Sequence, residues 1–184
     1  MNQAKPSTGS GQAQRVYVVE NSLWEALDQA SDTGIRDYHR FGTTYTLPNE
    51  RKFGSLESVH IYLERLTGLK SFYAEFGSIV APAVKPTTRD SNGAYRQTSA
   101  DADGMAINLA PHGGGVSTHL REMRVLHEMA HAVDIQIARR NGTKTDGHSK
   151  GFLDIFLKLI RIAMDDEMFV SLFRYMLMEN GAKL

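Results

Sequence analysis

Leu56, Val59, Leu63 and Leu66 recur at three- and four-residue intervals behind Ser55 and end at Gly68. That is the apolar stripe of an amphipathic helix, with a hydroxyl cap before it and a glycine after it. The same periodicity returns along the chain. Leu23, Leu27 and Ala30 follow Ser22-Leu23-Trp24-Glu25, whose serine and glutamate have capping-box spacing, so a helix is expected to open there. Order is expected to begin just upstream, at Val16-Tyr17-Val18-Val19. Leu69 to Phe76 predicts a short helix stopped by Gly77, and a long helix is expected from Ser117 or Thr118 to Arg140, ended by Asn141-Gly142. Phe152, Ile155, Phe156, Leu159, Ile160 and Ala163 share one face of the next helix. Phe169, Leu172, Phe173, Met176 and Leu177 share one face of the last. Asp165-Asp166-Glu167 opens that helix with the negative charge its dipole favours, and Gly181 closes it.

Between these helices the pattern shortens. Phe41 to Leu47 is rich in Thr, Tyr and Phe and reads as a strand closed by Pro48. Ile79 to Thr88 is extended, with Pro82 and Pro86 confining it to a sheet edge or an irregular course. Ala94 to Ser99 and Met105 to Leu109 predict two strands joined across Asp101-Ala102-Asp103-Gly104, with glycine where positive φ is needed. Residues 1–14, rich in Ser, Gly and Gln, are expected to be a disordered tail. Residues 15–184 then form one α+β domain, a small antiparallel sheet beside a long helix and C-terminal helices.

Composition narrows the chemistry. Of 184 residues 41% are hydrophobic and 23% charged, ordinary globular proportions that exclude wholesale disorder. Twenty-one basic residues balance 21 acidic ones, which argues against a strongly basic nucleic-acid binder. There is no cysteine, so disulfide scaffolds, thiolate metal sites and thiol catalysis are excluded. No apolar run is long enough to span a bilayer, and no apolar core follows Lys5 as a secretory signal would require. A cytoplasmic protein without membrane partners is expected.

The long helix carries His127-Glu128-Met129-Ala130-His131, an H-E-x-x-H pattern. Four residues make about one helical turn, so both imidazoles lie on one face and can bind one ion, with zinc the natural match to neutral imidazole. Glu128 beside them can take a proton from a metal-bound water, whose pKa zinc lowers to about 7. About 0.014 accidental matches are expected in a chain of this composition. Leu126, Ala130, Val133 and Ile137 supply an apolar stripe that buries the helix and leaves the histidines facing a cleft.

A catalytic zinc site needs a third protein ligand and an open position. His148 ranks first, because a helix–turn–helix return past Gly142 would bring it back against the motif. Asp146 ranks second, in a stretch near the G-T-x-D of aspzincins but one place late. Asp134, on the face of His131, ranks third. Ile137 stands where a metzincin has a further histidine, and only Asp154 lies near the distance of a thermolysin-like glutamate.

His127-Glu128-x-x-His131 followed by Gly147, His148 and Phe152 resembles SprT-like zinc metalloproteins. A group of small bacterial and phage proteins described as metallohydrolases is similar over most of the chain. The segments carrying that likeness are Arg15-Val16-Tyr17, Leu47-Pro48-x-Glu50-Arg51-x-Phe53, Ser55-x-Glu57-Ser58-Val59 and the motif itself. The resemblance implies a compact zincin fold, zinc on His127, His131 and His148, and Glu128 as general base. Ser149 departs from the glycine usual after the third histidine, with Gly151 two places on.

Other features carry less. His112-Gly113-Gly114-Gly115 lacks the serine elbow of an esterase and reads as a loop, and His119 lies about 12 Å from His127 along the helix, at a rim. Met164, Met168, Met176 and Met178 read as adaptable packing. Arg139, Arg140 and Lys144 form a small basic cluster that could meet phosphate, since some SprT-like proteins act on DNA-bound proteins. The expected activity is therefore a zinc metallopeptidase acting on a peptide or protein, with Met105 to Leu109 pairing an extended substrate and Tyr95 or an arginine stabilising the oxyanion. The alternative is an accessory protein associated with DNA or protein, with restricted or no turnover.

Overall fold

A computed structural model describes residues 11–87, 99–109 and 120–184. The first element is a helix, α1 (Gly11–Thr33), whose buried Val16, Val19, Leu23, Leu27 and Ala30 run as one stripe. This corrects the expected opening at Ser22 and the tail boundary at residue 14. Nothing at Asn21-Ser22 breaks the stripe, so the helix runs straight through the capping-box pattern. Its first turns are tied to the far end of the chain. The Arg15 guanidinium donates to the Gly181 carbonyl at 2.8 Å, and Gln12 bonds the backbone of Lys183 in both directions.

Strands β1 (Asp37–Arg40) and β2 (Thr43–Thr46) form an antiparallel hairpin. The strand expected over Phe41 to Leu47 thus begins two residues late. Phe41 and Gly42, at φ 53° and 71°, form the tight turn itself, as two-residue hairpin loops demand. Helix α2 (Leu56–Thr67) has Ser55 and Ser58 exchanging cap bonds, and α3 (Lys70–Phe76) stops at Gly77.

The second sheet has the order β3 (Ala83–Pro86), β5 (Ala106–Leu109), β4 (Ser99–Ala100). It is mixed rather than antiparallel, since β3 runs parallel to β5 and β4 antiparallel to it. Proline-bearing β3 lies at an edge, as its missing N–H requires. β5 has neighbours on both sides, so Met105 to Leu109 is not a free edge for an extended substrate. The turn before β5 is pressed onto the long helix. A Cβ on Gly104, at φ +66°, would stand 2.6 Å from the Ala132 carbonyl oxygen, so both conformation and space call for glycine. Residues 94–98, including Tyr95, and the loop and helix start at 112–119 lie outside the described residues.

The long helix α4 (Glu122–Asn141) has Arg121 as its N-cap, so its described start falls after the Ser117 or Thr118 expected. Two backbone bonds hold that start to the segment before α2, Phe53 N–H to Leu120 and Glu122 N–H to Arg51. Gly142 ends α4 in the left-handed conformation and donates to the Ala138 and Arg139 carbonyls. Helix α5 (Lys150–Met164) returns against it from an N-cap at Ser149, whose hydroxyl accepts the Phe152 N–H. Helix α6 (Glu167–Glu179), capped by Asp166, packs on α5 and α1. Of the methionines there, Met176 is buried and Met164 packs on the core, while Met168 and Met178 are exposed. Among the described residues no helix is long and apolar enough to cross a membrane.

Candidate metal centre

Helix α4 buries most of its surface, and the site forms where that buried face meets α1 and α5. His127 and His131 are one turn apart on α4, and His148 enters from the turn before α5. One nitrogen of each ring lies within 4.8 Å of those of the other two. Nε2 of His127 and Nε2 of His148 are 3.1 Å apart. Nitrogens at about 2.0–2.1 Å from a tetrahedral zinc are separated by about 3.3 Å, so this pair already has the spacing of two ligands. Asp134 and Asp146 are not part of the cluster: Asp134 is half-buried elsewhere on α4, and Asp146 is exposed.

The rings sit in an aromatic cage. Phe152 stacks on His131 with centroids 4.2 Å apart, and Phe156 meets the His127 ring edge-on at 5.4 Å. Tyr17 of α1 stacks on His127 at 5.6 Å and touches His148 at 5.0 Å. Burial is the main reason that the His131 imidazole is pushed down to about 2, with His127, His148 and the Arg124 guanidinium adding to it. His148 is pushed down to about 4, again by burial first and then by His127 and Arg124. Both rings are therefore neutral at pH 7, the form that donates a lone pair to a metal.

Glu20 is a site residue that the pattern search missed. It is fully buried on α1, and its Oε1 lies 2.7 Å from Nδ1 of His127. A carboxylate can only accept, so the ring N–H donates to it, which fixes the ring and aims Nε2 at the other imidazoles. A signal existed in the sequence. Glu20 stands among Val16, Val19, Leu23 and Leu27, on the apolar stripe of α1, where an unpartnered acid would be costly. Its Oε2 has no hydrogen-bond partner among the described residues.

Glu128 is buried, and Arg124 one turn before it places Nε 3.6 Å from its Oε1. Arg124 also lies over the Trp24 ring at 5.8 Å, and Arg121 lies over that ring at 5.3 Å. Arg121 in turn is buried against Glu50, with Asp28 at 3.3 Å. Beside it Glu122 accepts from Arg51 at 2.6 Å and from the Tyr62 hydroxyl at 2.8 Å. The Glu50-Arg51 pair thus anchors the start of α4, and with it the register of the histidines.

The basic cluster at the other end of α4 is largely occupied. Arg139 pairs with Asp103 at 2.9 Å, and Arg140 donates to the Phe76 carbonyl at 3.3 Å. Lys144 is exposed. The arrangement as a whole offers three imidazoles within reach of one ion, the Glu20 carboxylate against one of them and an apolar wall. Comparison of the chain with protein-family models, with curated proteins and with solved structures finds no match.

Proposed function

We propose that this chain is a zinc-dependent hydrolase of peptide or other amide bonds, with a peptide or protein as its substrate. His127, His131 and His148 hold the metal, and Glu128 is the general base. The observation that carries this reading is the convergence of three imidazoles, two of them held neutral by burial, around a common point. Three imidazole nitrogens suit zinc, and three protein ligands leave a position open, as a catalytic rather than a closed structural site requires. When bound, zinc would supply a Lewis acid for a carbonyl oxygen and acidify water at neutral pH.

The chain's own residues do the rest. Glu20 holds the His127 ring in one orientation. Glu128 takes a proton from water and returns it to the leaving nitrogen, with Arg124 one turn before it at 3.6 Å from its Oε1. Tyr17, Phe152 and Phe156 keep the ring planes dry and fixed. Arg139 is already paired with Asp103 and Arg140 already bonds the Phe76 carbonyl, so neither guanidinium is held ready for a phosphate. A chain without cysteine suits the reducing cytoplasm, where we place this activity.

The test is metal content by mass spectrometry alongside hydrolysis of a peptide library. About one zinc per chain is expected in the wild type, and none in His131→Ala or His148→Ala, with circular dichroism to check that the variants fold. Glu128→Gln is expected to keep the metal and lose about 100- to 10,000-fold in turnover. A wild type that takes up no zinc ends the reading. A Glu128→Gln variant of full activity ends the assignment of the base.

A further inference from the structure

A cavity of about 490 Å³ is lined by residues of α2, the segment before it, the start of α3 and the end of α5. It is remote from the metal centre. Ile162 and Ala163 of its wall lie about 15 Å along α5 from Phe152, at 1.5 Å per residue. The volume is within the range of small-molecule sites, about 300–1,000 Å³. Its wall is apolar, formed by Phe53, Ile61, Leu66, Leu69, Ile162 and Ala163. Ile61 and Leu69 are 39% and 43% exposed, so two aliphatic side chains of the wall face the opening.

The charged side chains of the lining are both cationic, beside the hydroxyls of Ser58 and Tyr62. Arg51 and Arg65 both line the cavity. Arg51 is held over the Tyr62 ring at 5.5 Å and is compensated by the buried Glu122 beneath. Arg65 is exposed and has no ion-pair or hydrogen-bond partner among the described residues. The lining contains no carboxylate. An apolar trough with an uncompensated guanidinium at its mouth matches a molecule with an apolar body and one anionic head, and rejects the cationic equivalent.

We propose that this cavity is a binding site for a small amphiphilic carboxylate, with its aliphatic chain against Ile61, Leu66, Leu69 and Ile162 and its head group on Arg65. The site does not depend on the metal reading, and its occupant is a free small molecule rather than a polypeptide.

Isothermal titration of the full chain with decanoate, below its micellar concentration, tests it, beside decyltrimethylammonium as the cationic control. Saturable one-to-one binding of decanoate is expected, with none of the cation. Arg65→Glu changes an exposed side chain and should fold normally. It is expected to weaken decanoate at least about tenfold, while Leu69→Asp weakens it through the wall. Equal binding of both amphiphiles, or an Arg65→Glu variant that binds as the wild type does, overturns the assignment. So does sedimentation showing a dimer that Leu69→Asp dissociates, because the cavity would then be an interface between copies. Metal content is expected to be unchanged in both variants, which keeps this result separate from that of the metal centre.

Discussion

Two buried polar groups meet at α4, one at its N-terminus and one along its middle, and they are built on opposite rules. At the N-terminus Arg121 and Glu122 meet Glu50, Arg51, Asp28 and Tyr62, so each charge faces its opposite or a hydroxyl. At the middle of the helix His127 and His131 face His148 from the turn before α5, and His131 has ring contacts but no hydrogen-bond partner among the described residues. The first group is complete as it stands. The second brings one nitrogen of each ring close enough to the others to bind a single metal ion. Burial alone therefore does not distinguish the two clusters, whereas the balance of donors and acceptors within each does.

The sharpest way to break the comparison is at Glu50. Its side chain is 3% exposed and that of Arg121 is 1% exposed. Removing one partner of a buried pair leaves an uncompensated charge, so Glu50→Ala should lose about 3–5 kcal/mol in urea unfolding. Replacing Glu50 and Arg121 together by apolar residues should cost far less. The metal stoichiometry of whatever folded protein remains should not change.

The converse change is Glu20→Gln. It keeps the size of the buried side chain but weakens its hold on the His127 N–H. Zinc affinity, measured by competition with a chelator, should fall about 10- to 100-fold. Equal affinity in the variant would show that Glu20 only fills space.

Acid should separate the two groups in the metal-free protein. Unfolded histidines take up a proton near 6.5, but folded His148 resists until about 4 and His131 until about 2. Below 6.5 the unfolded chain then binds more protons than the folded one, so stability falls with each step of acidification, through pH 4 and on toward 2. At the arginine cluster burial works to raise Asp28, but Lys52 and Arg121 outweigh it and hold the carboxyl below its usual 3.8. Its contribution is intact above pH 3.8 and is lost only as pH falls further. Thermal melts from pH 8 to 4 should thus decline already below 6.5 in the wild type. In a folded His148→Ala variant the decline should be shallower.

The smallest effect is expected at the edge of the arginine cluster. Lys52 reaches Asp28 at 2.8 Å, but their side chains are 43% and 33% exposed. Lys52→Ala should cost about 0–1 kcal/mol, with the loss further reduced in high salt.

Local pattern alone determined much of this protein. The cap at Ser55, the acidic start of α6 and the stops at Gly68, Gly77 and Gly142 came through because each acts over one helical turn, where neighbours in sequence are neighbours in space. His127 and His131 were legible for the same reason, being one turn apart. Other elements were misread where a local signal met a longer-range one. Ser22 has the spacing of a cap, yet the stripe from Val16 to Ala30 runs through it, because burying a continuous face outweighs one capping bond. The expected free edge at β5 failed because strand order is set by which strands meet, which no single strand encodes.

The tertiary structure alone decided the rest. His148 was one of three candidate ligands until the turn after Gly142 placed it 3.1 Å from His127, while Asp134 and Asp146 stayed outside the cluster. Glu20 lies 107 residues from His127 in sequence, and no periodicity relates them. The Arg121–Glu50 pair spans 71 residues. Such contacts depend on how helices pack across the core, and that is decided by the whole set of buried faces together.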